Sequence, residues 1–327
     1  YMLEGAPVWD FEFAGFRSGD FLPGGVASQL IVMRPHRPGR IPVVLVHGTA
    51  SSPARWAEMV NEFENDPAIA ARYEVWLFIY NTGNPIPYSG GVLVQSLKDT
   101  VAKLDPAGTD PAMKKMVVIG HSQGGLLTKL TAVESGTAFW DNLTPRSIDE
   151  LKISDADREL LQRSMFYEPL PFVRRVIFIC TPHRGSYLAS FSLSNLVTRL
   201  ISAPLRITQL SVNLITQNQD EMLTSKLGRM PTSLDNMRPG HPFLQKLSSL
   251  SIDPHITAHS IIAVTGDGPV EEGGDGVVKY ESAHIDGVES ELIVRSSHSA
   301  QANPATINEV KRILIEHASV SGEQAPR

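Results

Sequence analysis

Ser122 is the residue whose surroundings best fit a catalytic nucleophile. It stands in the segment Gly-His-Ser-Gln-Gly at residues 120–124, between the apolar run at 116–119 and an amphipathic segment that starts at Gln123. The Gly-x-Ser-x-Gly spacing suits a sharp strand-to-helix turn that lifts the serine hydroxyl clear of a sheet and requires small neighbours. The turn also puts the serine at a helix N-terminus, where free N–H groups favour negative charge. The bare pattern also occurs by chance, so its strand and helix context supports the interpretation.

The segment His-Gly-Thr at residues 47–49 has the features of an oxyanion loop. It follows the apolar run at 41–46 and precedes a helical segment that contains Trp56. In this interpretation the backbone N–H groups of Thr49 and Gln123 stabilise a tetrahedral oxyanion, with the Thr49 hydroxyl as a candidate third donor. Removing one such donor costs about 2.7–4 kcal/mol in comparable hydrolases. The alternative is a simple turn that contains glycine.

A nucleophilic serine needs a base, and histidine is the side chain that titrates near neutral pH. The chain has ten histidines. A base is expected after the last strand of the sheet, and His298 follows the apolar run at 291–295. His47 and His121 lie inside the two segments already described. Other candidates lie in polar or Pro-rich surroundings: His36, His241, His255 and His284. We therefore predict that His298 is the base, and the alternative is an exposed loop histidine.

We expect the three catalytic residues to follow one another along the chain in the order serine, acid, histidine. The acid should then lie after the strand predicted at 259–265 and before His298. Five carboxylates qualify by position: Asp267, Glu271, Glu272, Asp275 and Asp286. Asp275 stands in Gly-Gly-Asp-Gly-Val-Val, where small neighbours allow a loop to fold close to the site and the valines anchor it. We predict that Asp275 orients the imidazole without taking its proton, and Asp267 is the second choice.

Short apolar runs and helical patterns alternate along the chain and predict the elements that position these residues. Strands rich in Val and Ile are predicted at residues 43–46, 74–79, 116–119, 173–180, 259–265 and 291–295. Helices are predicted at residues 53–65, 91–104, 123–135 and 304–317. Nearly continuous apolar strands are typical of a parallel sheet covered on both faces. The alternation therefore predicts an α/β fold with a doubly wound, mostly parallel sheet.

Two segments interrupt this alternation after Ser122. Residues 139–171 are charged and contain a predicted capped helix at 154–163. Residues 184–240 are rich in Ser, Leu, Asn and Thr, and a structureless loop of that length is rare in a compact domain. Apolar residues recur there at helical spacing: Leu188, Phe191, Leu196, Val197, Leu200 and Ile201. We predict an inserted helical cap at 184–240, acting either as a movable lid or as structural packing on the core.

Length and composition limit the classes of protein. With 327 residues, 42% apolar and 20% charged, the chain fits one large domain, residues 1–327, that buries a sizeable core. A net charge of −6 and scattered arginines argue against nucleic acid as a partner. Cys180 is the only cysteine, so no internal disulfide is expected. No apolar run reaches the length of a membrane span.

The sequence is compatible with more than one cellular location. Residues 1–10 have neither the basic start nor the apolar centre of a signal peptide. If a signal preceded the initial tyrosine and was removed, an exported or envelope-associated bacterial location is favoured over the cytoplasm.

With these motifs, residues from about 40 to 317 resemble the bacterial esterase and lipase group of the α/β-hydrolase superfamily. The resemblance depends on Val-His-Gly-Thr at 46–49, Gly-His-Ser-Gln-Gly at 120–124, Thr-Pro-His-Arg-Gly-Ser at 181–186, Asp-Gly-Val-Val at 275–278, and His298. It implies the α/β-hydrolase fold and hydrolysis of carboxylic esters through an acyl-enzyme, with Ser122, Asp275 and His298 as the triad. Secreted true lipases of this group differ in carrying a disulfide pair and often an apolar residue where this chain has Thr49.

The same residues leave several functions and partners open. An acyltransferase would use the same triad, whereas a binding module on this fold would be expected to lack a nucleophile or base. We predict no cofactor and no required metal. The expected partner is a small-molecule or lipid ester, with peripheral membrane or lipid contact through the cap and an undetermined oligomeric state. Aromatic residues are candidates for an acyl pocket or for the core: Trp56, Trp76, Tyr80, Tyr88 and the region of Phe191.

Overall fold

A computed structural model describes residues 28–186, 205–218, 225 and 231–320 of the chain. Within them, seven strands form one sheet in the order β1-β3-β2-β4-β5-β6-β7. The strands are β1 (Ser28–Val32), β2 (Ile41–Val46), β3 (Tyr73–Tyr80), β4 (Met116–His121), β5 (Val173–Ile179), β6 (Thr257–Ala263) and β7 (Ser290–Val294). Only β1 runs antiparallel to its neighbour, and the other pairings are parallel. The predicted doubly wound, mostly parallel sheet is thus confirmed.

The central strands are apolar because both faces of the sheet are covered. Every residue of β2 and β4 is buried. Alternation along β2 sends Val44 and Val46 into a first core cluster and Val43 and Leu45 into a second cluster on the opposite face. Fully burying one such side chain stabilises the fold by about 1.5–3 kcal/mol. Packing on both faces therefore fixes the strand ends that present the site.

Helices cover both faces of the sheet. They are α1 (Ala57–Asn65), α2 (Pro67–Ala70), α3 (Ile86–Leu104), α4 (Gln123–Leu130), α5 (Asp155–Met165), α6 (Leu205–Asn218), α7 (Ser233–Asn236), α8 (Pro242–Ser249), α9 (Tyr280–Ala283) and α10 (Pro304–Val320). Helices α3, α4 and α8 contribute to the first core cluster, while α1 and α10 contribute to the second. Of the helices the structure describes, none combines the length and apolar character needed to cross a bilayer.

Several predicted boundaries differ from the structure. The helix predicted at 123–135 ends at Leu130, and the segment predicted at 53–65 begins as a 3₁₀ turn over Pro53–Trp56. Strand β1 was not predicted. It is a five-residue edge strand held by β3 alone, so its sequence carries no signal of burial on two faces.

The described part of the predicted cap contains α6 and α7. The buried face of α6 meets α5 and neighbouring side chains in a separate group, called here the cap cluster: Trp140, Leu151, Leu160, Leu161, Leu210 and Leu214. Helix α5 begins as predicted, with the Ser154 hydroxyl accepting a hydrogen bond from the Asp157 N–H at 3.1 Å. The predicted apolar stripe from Leu188 to Ile201, including Phe191 and Leu196, lies outside the described residues. Whether the cap moves remains a prediction.

Candidate active site

Ser122 occupies a strained turn between β4 and α4. Its backbone has φ +54° and ψ −125°, a region that residues with a Cβ atom rarely adopt. Two backbone hydrogen bonds hold the turn: the Ser122 N–H donates to Ile179 O at 2.8 Å, and the Gly125 N–H donates to Ser122 O at 2.9 Å. Strain of this kind persists only where the surroundings impose it. Here it presents the serine side chain at the carboxyl end of the sheet.

The two glycines of the elbow are needed because other backbone lies against them. A Cβ atom on Gly120 would lie 2.4 Å from the carbonyl oxygen of Gly124. A Cβ atom on Gly124 would lie 2.2 Å from the carbonyl oxygen of Val46, at the end of β2. These approaches are too short for any side chain. The small residues that the sequence places on both sides of Ser122 therefore have a steric cause.

His298 and Asp275 lie in one line of hydrogen bonds with Ser122. Nε2 of His298 is 2.8 Å from Ser122 Oγ, and Nδ1 is 2.7 Å from Asp275 Oδ2. Because the ionised Asp275 only accepts hydrogen bonds, the His298 proton belongs on Nδ1, and Nε2 accepts from the serine hydroxyl. The Asp275 side chain is 1% exposed and the His298 side chain 19% exposed. The structure thus brings together the three residues predicted from sequence to form a triad.

The Asp275 carboxylate is fixed by its own loop. Its Oδ1 accepts hydrogen bonds from the N–H groups of Val277 at 2.8 Å and Val278 at 2.7 Å. Burial alone would raise the pKa of Asp275. The hydrogen bond and charge of His298, with the two backbone N–H groups, outweigh burial and hold that pKa below its ordinary value. The carboxylate is therefore ionised at neutral pH.

The other carboxylates considered for this role lie elsewhere. Asp267, Glu271 and Glu272 are exposed. Asp286 is also exposed and lies 3.5 Å from His284 Nε2. Within the described residues, Asp275 is the carboxylate whose oxygen meets His298 Nδ1.

The predicted oxyanion loop lies directly beside Ser122. A Cβ atom on Gly48 would be 2.9 Å from the Cβ atom of Ser122. The Gln123 side chain braces this loop, accepting the Thr49 hydroxyl at 2.5 Å through Oε1 and donating to Thr82 O at 3.1 Å through Nε2. The Thr49 hydroxyl is therefore engaged by Gln123 and is not a free third donor. Among the described residues, the backbone N–H groups of Thr49 and Gln123 have no hydrogen-bond acceptor.

His121 has a structural relation to the site that the sequence did not reveal. Burial, and to a smaller extent the charge of neighbouring His298, lowers the pKa of His121 to about 3. Its imidazole is therefore neutral. Its Nε2 is 2.8 Å from the carbonyl oxygen of His298 and donates to it. The two rings lie 5.0 Å apart between centroids. His121 thus braces the backbone that carries His298.

Cys180 lies beneath these histidines. Its thiol is buried, its φ is +50°, and its sulfur lies within 4.8 Å of ring nitrogens of His121 and His298. Burial raises the pKa of the Cys180 thiol, and the charge of Asp275 adds to this effect. These atoms are types that bind metals, but His298 already uses both ring nitrogens for Ser122 and Asp275.

Three of the aromatic candidates for an acyl pocket lie in the core. Trp56, Trp76 and Tyr80 are between 0% and 3% exposed and pack in the two core clusters. The Tyr80 hydroxyl donates to His47 O at 2.8 Å, which supports the start of the oxyanion loop. Tyr88, in contrast, lines a cavity beneath the cap.

Comparison with known structures identifies the fold. The Bacillus licheniformis lipase BlEst2 in mature form shares 16% identity, with 88% of this chain and 97% of that chain covered and a TM-score of 0.50. The Thermogutta terrifontis esterase Est2 with bound propionate shares 14% identity, with 93% of each chain covered and a TM-score of 0.47. No protein-family model and no curated protein sequence matches this chain. The predicted α/β-hydrolase fold and resemblance to bacterial esterases and lipases are thus confirmed at the level of fold.

Proposed function

We propose that the protein is a serine hydrolase that cleaves carboxylic esters through an acyl-enzyme on Ser122. The observation that carries this proposal is the continuous line from Ser122 Oγ through His298 to Asp275, with separations of 2.8 and 2.7 Å. The base then lies within hydrogen-bond reach of both the nucleophile and the orienting acid, as a serine nucleophile requires.

In the first half-reaction, Ser122 Oγ attacks the ester carbonyl carbon while its proton passes to His298 Nε2. The imidazolium is stabilised by the buried, ionised Asp275, which does not take the proton. The tetrahedral intermediate then collapses, the bond to the alcohol oxygen breaks, and His298 returns its proton to that oxygen. The product of this step is an ester between Ser122 and the acyl group.

The second half-reaction uses the same groups with water as the nucleophile. His298 removes a proton from water, the hydroxide attacks the acyl carbon, and Ser122 leaves with the proton from His298. In both halves, the N–H groups of Thr49 and Gln123 would bind the oxyanion. The Gln123 side chain supports this role because it braces the loop at Thr49 and Thr82.

The test of the nucleophile is Ser122→Ala. We expect this variant to lose hydrolysis of p-nitrophenyl acetate and covalent labelling by a fluorophosphonate, because the attacking oxygen is absent. Circular dichroism and thermal unfolding serve as controls for folding. Labelling that persists in the folded variant would place the nucleophile at another residue.

Transfer of the acyl group to an alcohol would use the same triad and is the alternative activity. It differs only in whether water or an alcohol resolves the acyl-enzyme. Measuring free acid and new ester in the presence of a primary alcohol separates the two. Predominant formation of the new ester at low alcohol concentration would favour the transferase.

A further inference from the structure

A cavity of about 450 Å³ lies between the first core cluster and the cap cluster. Its walls include residues of the first turn of α3, of α5, of α6 and of α7, together with Phe139 and Phe243. The rings of these two phenylalanines lie 4.9 Å apart between centroids. The volume falls in the range of small-molecule sites, about 300–1,000 Å³. The cavity is therefore large enough for a substrate group.

The lining is suited to an uncharged, apolar group. Leu160, Leu161, Leu210 and Leu214 form much of the wall, and no lysine or arginine belongs to the described lining. Its one carboxylate, Asp235, accepts hydrogen bonds at 2.9 Å from both the N–H and the hydroxyl of Thr232. A phosphate or a free carboxylate would find no cation in this wall.

One short loop connects the cavity with the nucleophile. Thr82 accepts a hydrogen bond from the side chain of Gln123, the residue after Ser122. Four residues later, the Ile86 N–H donates at 2.9 Å to Asn236 Oδ1, and both Asn236 and Pro85 line the cavity. The loop at residues 82–86 therefore contacts the residue after Ser122 at one end and joins the wall of the cavity at the other.

We infer that this cavity binds the acyl chain of the ester that reacts at Ser122, and that the substrates are esters of uncharged apolar acids of medium to long chain. This inference rests on the proposed function. It assigns α6 a direct part in recognition, because Leu210 and Leu214 are 5% and 1% exposed on the helix face that meets the cavity. Val212 lies on the opposite face and is 53% exposed.

The test narrows the cavity and compares substrates that differ only in acyl length. Leu214→Trp should reduce kcat/KM for p-nitrophenyl decanoate at least 10-fold more than kcat/KM for p-nitrophenyl acetate, because recognition of apolar groups changes by about 10–200-fold per methylene-sized contact. Val212→Trp adds the same side chain to the exposed face of α6 and should leave both values unchanged. Equal losses on both esters in a stable Leu214→Trp protein would overturn the inference.

Two further measurements keep the inference testable if Leu214→Trp folds poorly or the protein hydrolyses no ester. Leu210→Phe is a milder filling substitution and should produce a smaller shift in the same direction. Binding of the methyl ester of cis-parinaric acid, an uncharged fluorescent polyene ester, to the Ser122→Ala protein reports occupancy without turnover. Adding Leu210→Phe or Leu214→Trp to that protein should weaken binding, whereas adding Val212→Trp should not. If ester hydrolysis fails but this pattern appears, the proposed reaction is wrong, whereas the cavity still binds an uncharged apolar chain.

The alcohol side of the ester is the competing occupant. A series of alkyl acetates varies the alcohol while the acyl group stays constant. If filling the cavity lowers kcat/KM with increasing alcohol length and not with increasing acyl length, the cavity binds the alcohol and the inference is wrong.

Discussion

At the scale of single residues, the sequence predicts Ser122, Asp275 and His298 as a triad, and the structure places His298 in hydrogen-bond contact with the other two. That prediction was possible because strand ends and small neighbours leave a signal in the local sequence. The bracing roles of Gln123 and His121 left no such signal. Their partners, Thr49 and His298, are 74 and 177 residues away, so the direction of each side chain depends on tertiary packing.

The hydrogen bonds of Asp275 predict the effect of Asp275→Asn. Oδ1 accepts two backbone N–H groups, so the amide oxygen of the variant should occupy that position and its NH₂ group should face His298 Nδ1. Nδ1 would then accept, the ring proton would move to Nε2, and Nε2 could no longer accept the serine proton. We expect kcat to fall by about 10⁴, the scale known for a triad aspartate changed to an amide.

The matched control for this prediction is Asp267→Asn on the exposed part of the same region. It removes one negative charge without touching His298, so kcat should change little. Initial rates with p-nitrophenyl acetate are sufficient for the comparison. If the two variants exchange these effects, Asp267 is the acid.

At the scale of elements, the central strands were predicted because burial on both faces gives a continuous apolar run. The start of α3 was predicted five residues late, at Gly91, whereas the helix begins at Ile86 and passes through two glycines. Glycine is a poor helix former, so local sequence favoured a later start. The structure gives the reason for these glycines: α5 crosses α3 here, and the backbone of Arg163 lies against Gly91.

This crossing predicts the effect of alanine at two adjacent positions. In an isolated helix, either Gly→Ala substitution would stabilise by about 0.8–1.0 kcal/mol. A Cβ atom on Gly91 would lie 2.4 Å from the carbonyl oxygen of Arg163, which is backbone and cannot move alone. A Cβ atom on Gly90 would also make a contact of 2.4 Å. Its neighbour is the tip of the Leu130 side chain, which can change its rotamer. Gly91→Ala should therefore destabilise by about 1–3 kcal/mol and Gly90→Ala by less. Urea unfolding measures both, and a Gly91→Ala protein as stable as the wild type would contradict this account of the crossing.

At the scale of the whole molecule, a buried polar cluster joins three distant parts of the chain far from the active site. Nε of Arg175 on β5 donates to His317 Nδ1 at 3.2 Å, and a second guanidinium nitrogen contacts His259 Nε2 on β6. His259 Nδ1 lies 2.7 Å from the Ser290 hydroxyl, and His317 Nε2 donates to Lys115 O at 2.8 Å. Both imidazoles therefore accept from Arg175 and must be neutral to do so. No local pattern indicates this cluster, because His259 and His317 are 84 and 142 residues away from Arg175.

The cluster predicts that the protein loses stability as the pH falls below about 6.5. Burial, and to a smaller extent the charge of Arg175, lowers the pKa of His259 to about 3. Burial also lowers the pKa of His317 to about 4, despite the opposing hydrogen bond to Lys115. The unfolded chain binds these protons near pH 6.5 and the folded chain does not, so the free energy of unfolding falls from pH 6.5 towards pH 4 and is unaffected by these groups above pH 6.5. The charged groups around the two rings are Arg175, Arg312, Glu309 and Lys115.

His259→Gln tests this prediction because its amide can accept from Arg175 and donate to Ser290, as the neutral imidazole does, without taking a proton. Each buried neutral histidine contributes a slope of up to about 1.4 kcal/mol per pH unit below pH 6.5. The free energy of unfolding in urea, measured at pH 7, 6 and 5, should therefore fall less steeply in the variant than in the wild type. His255→Gln changes an exposed histidine and should leave the slope unaltered. Parallel pH profiles for the wild type and His259→Gln would mean that His259 is protonated in the folded protein or that its site opens before the chain unfolds.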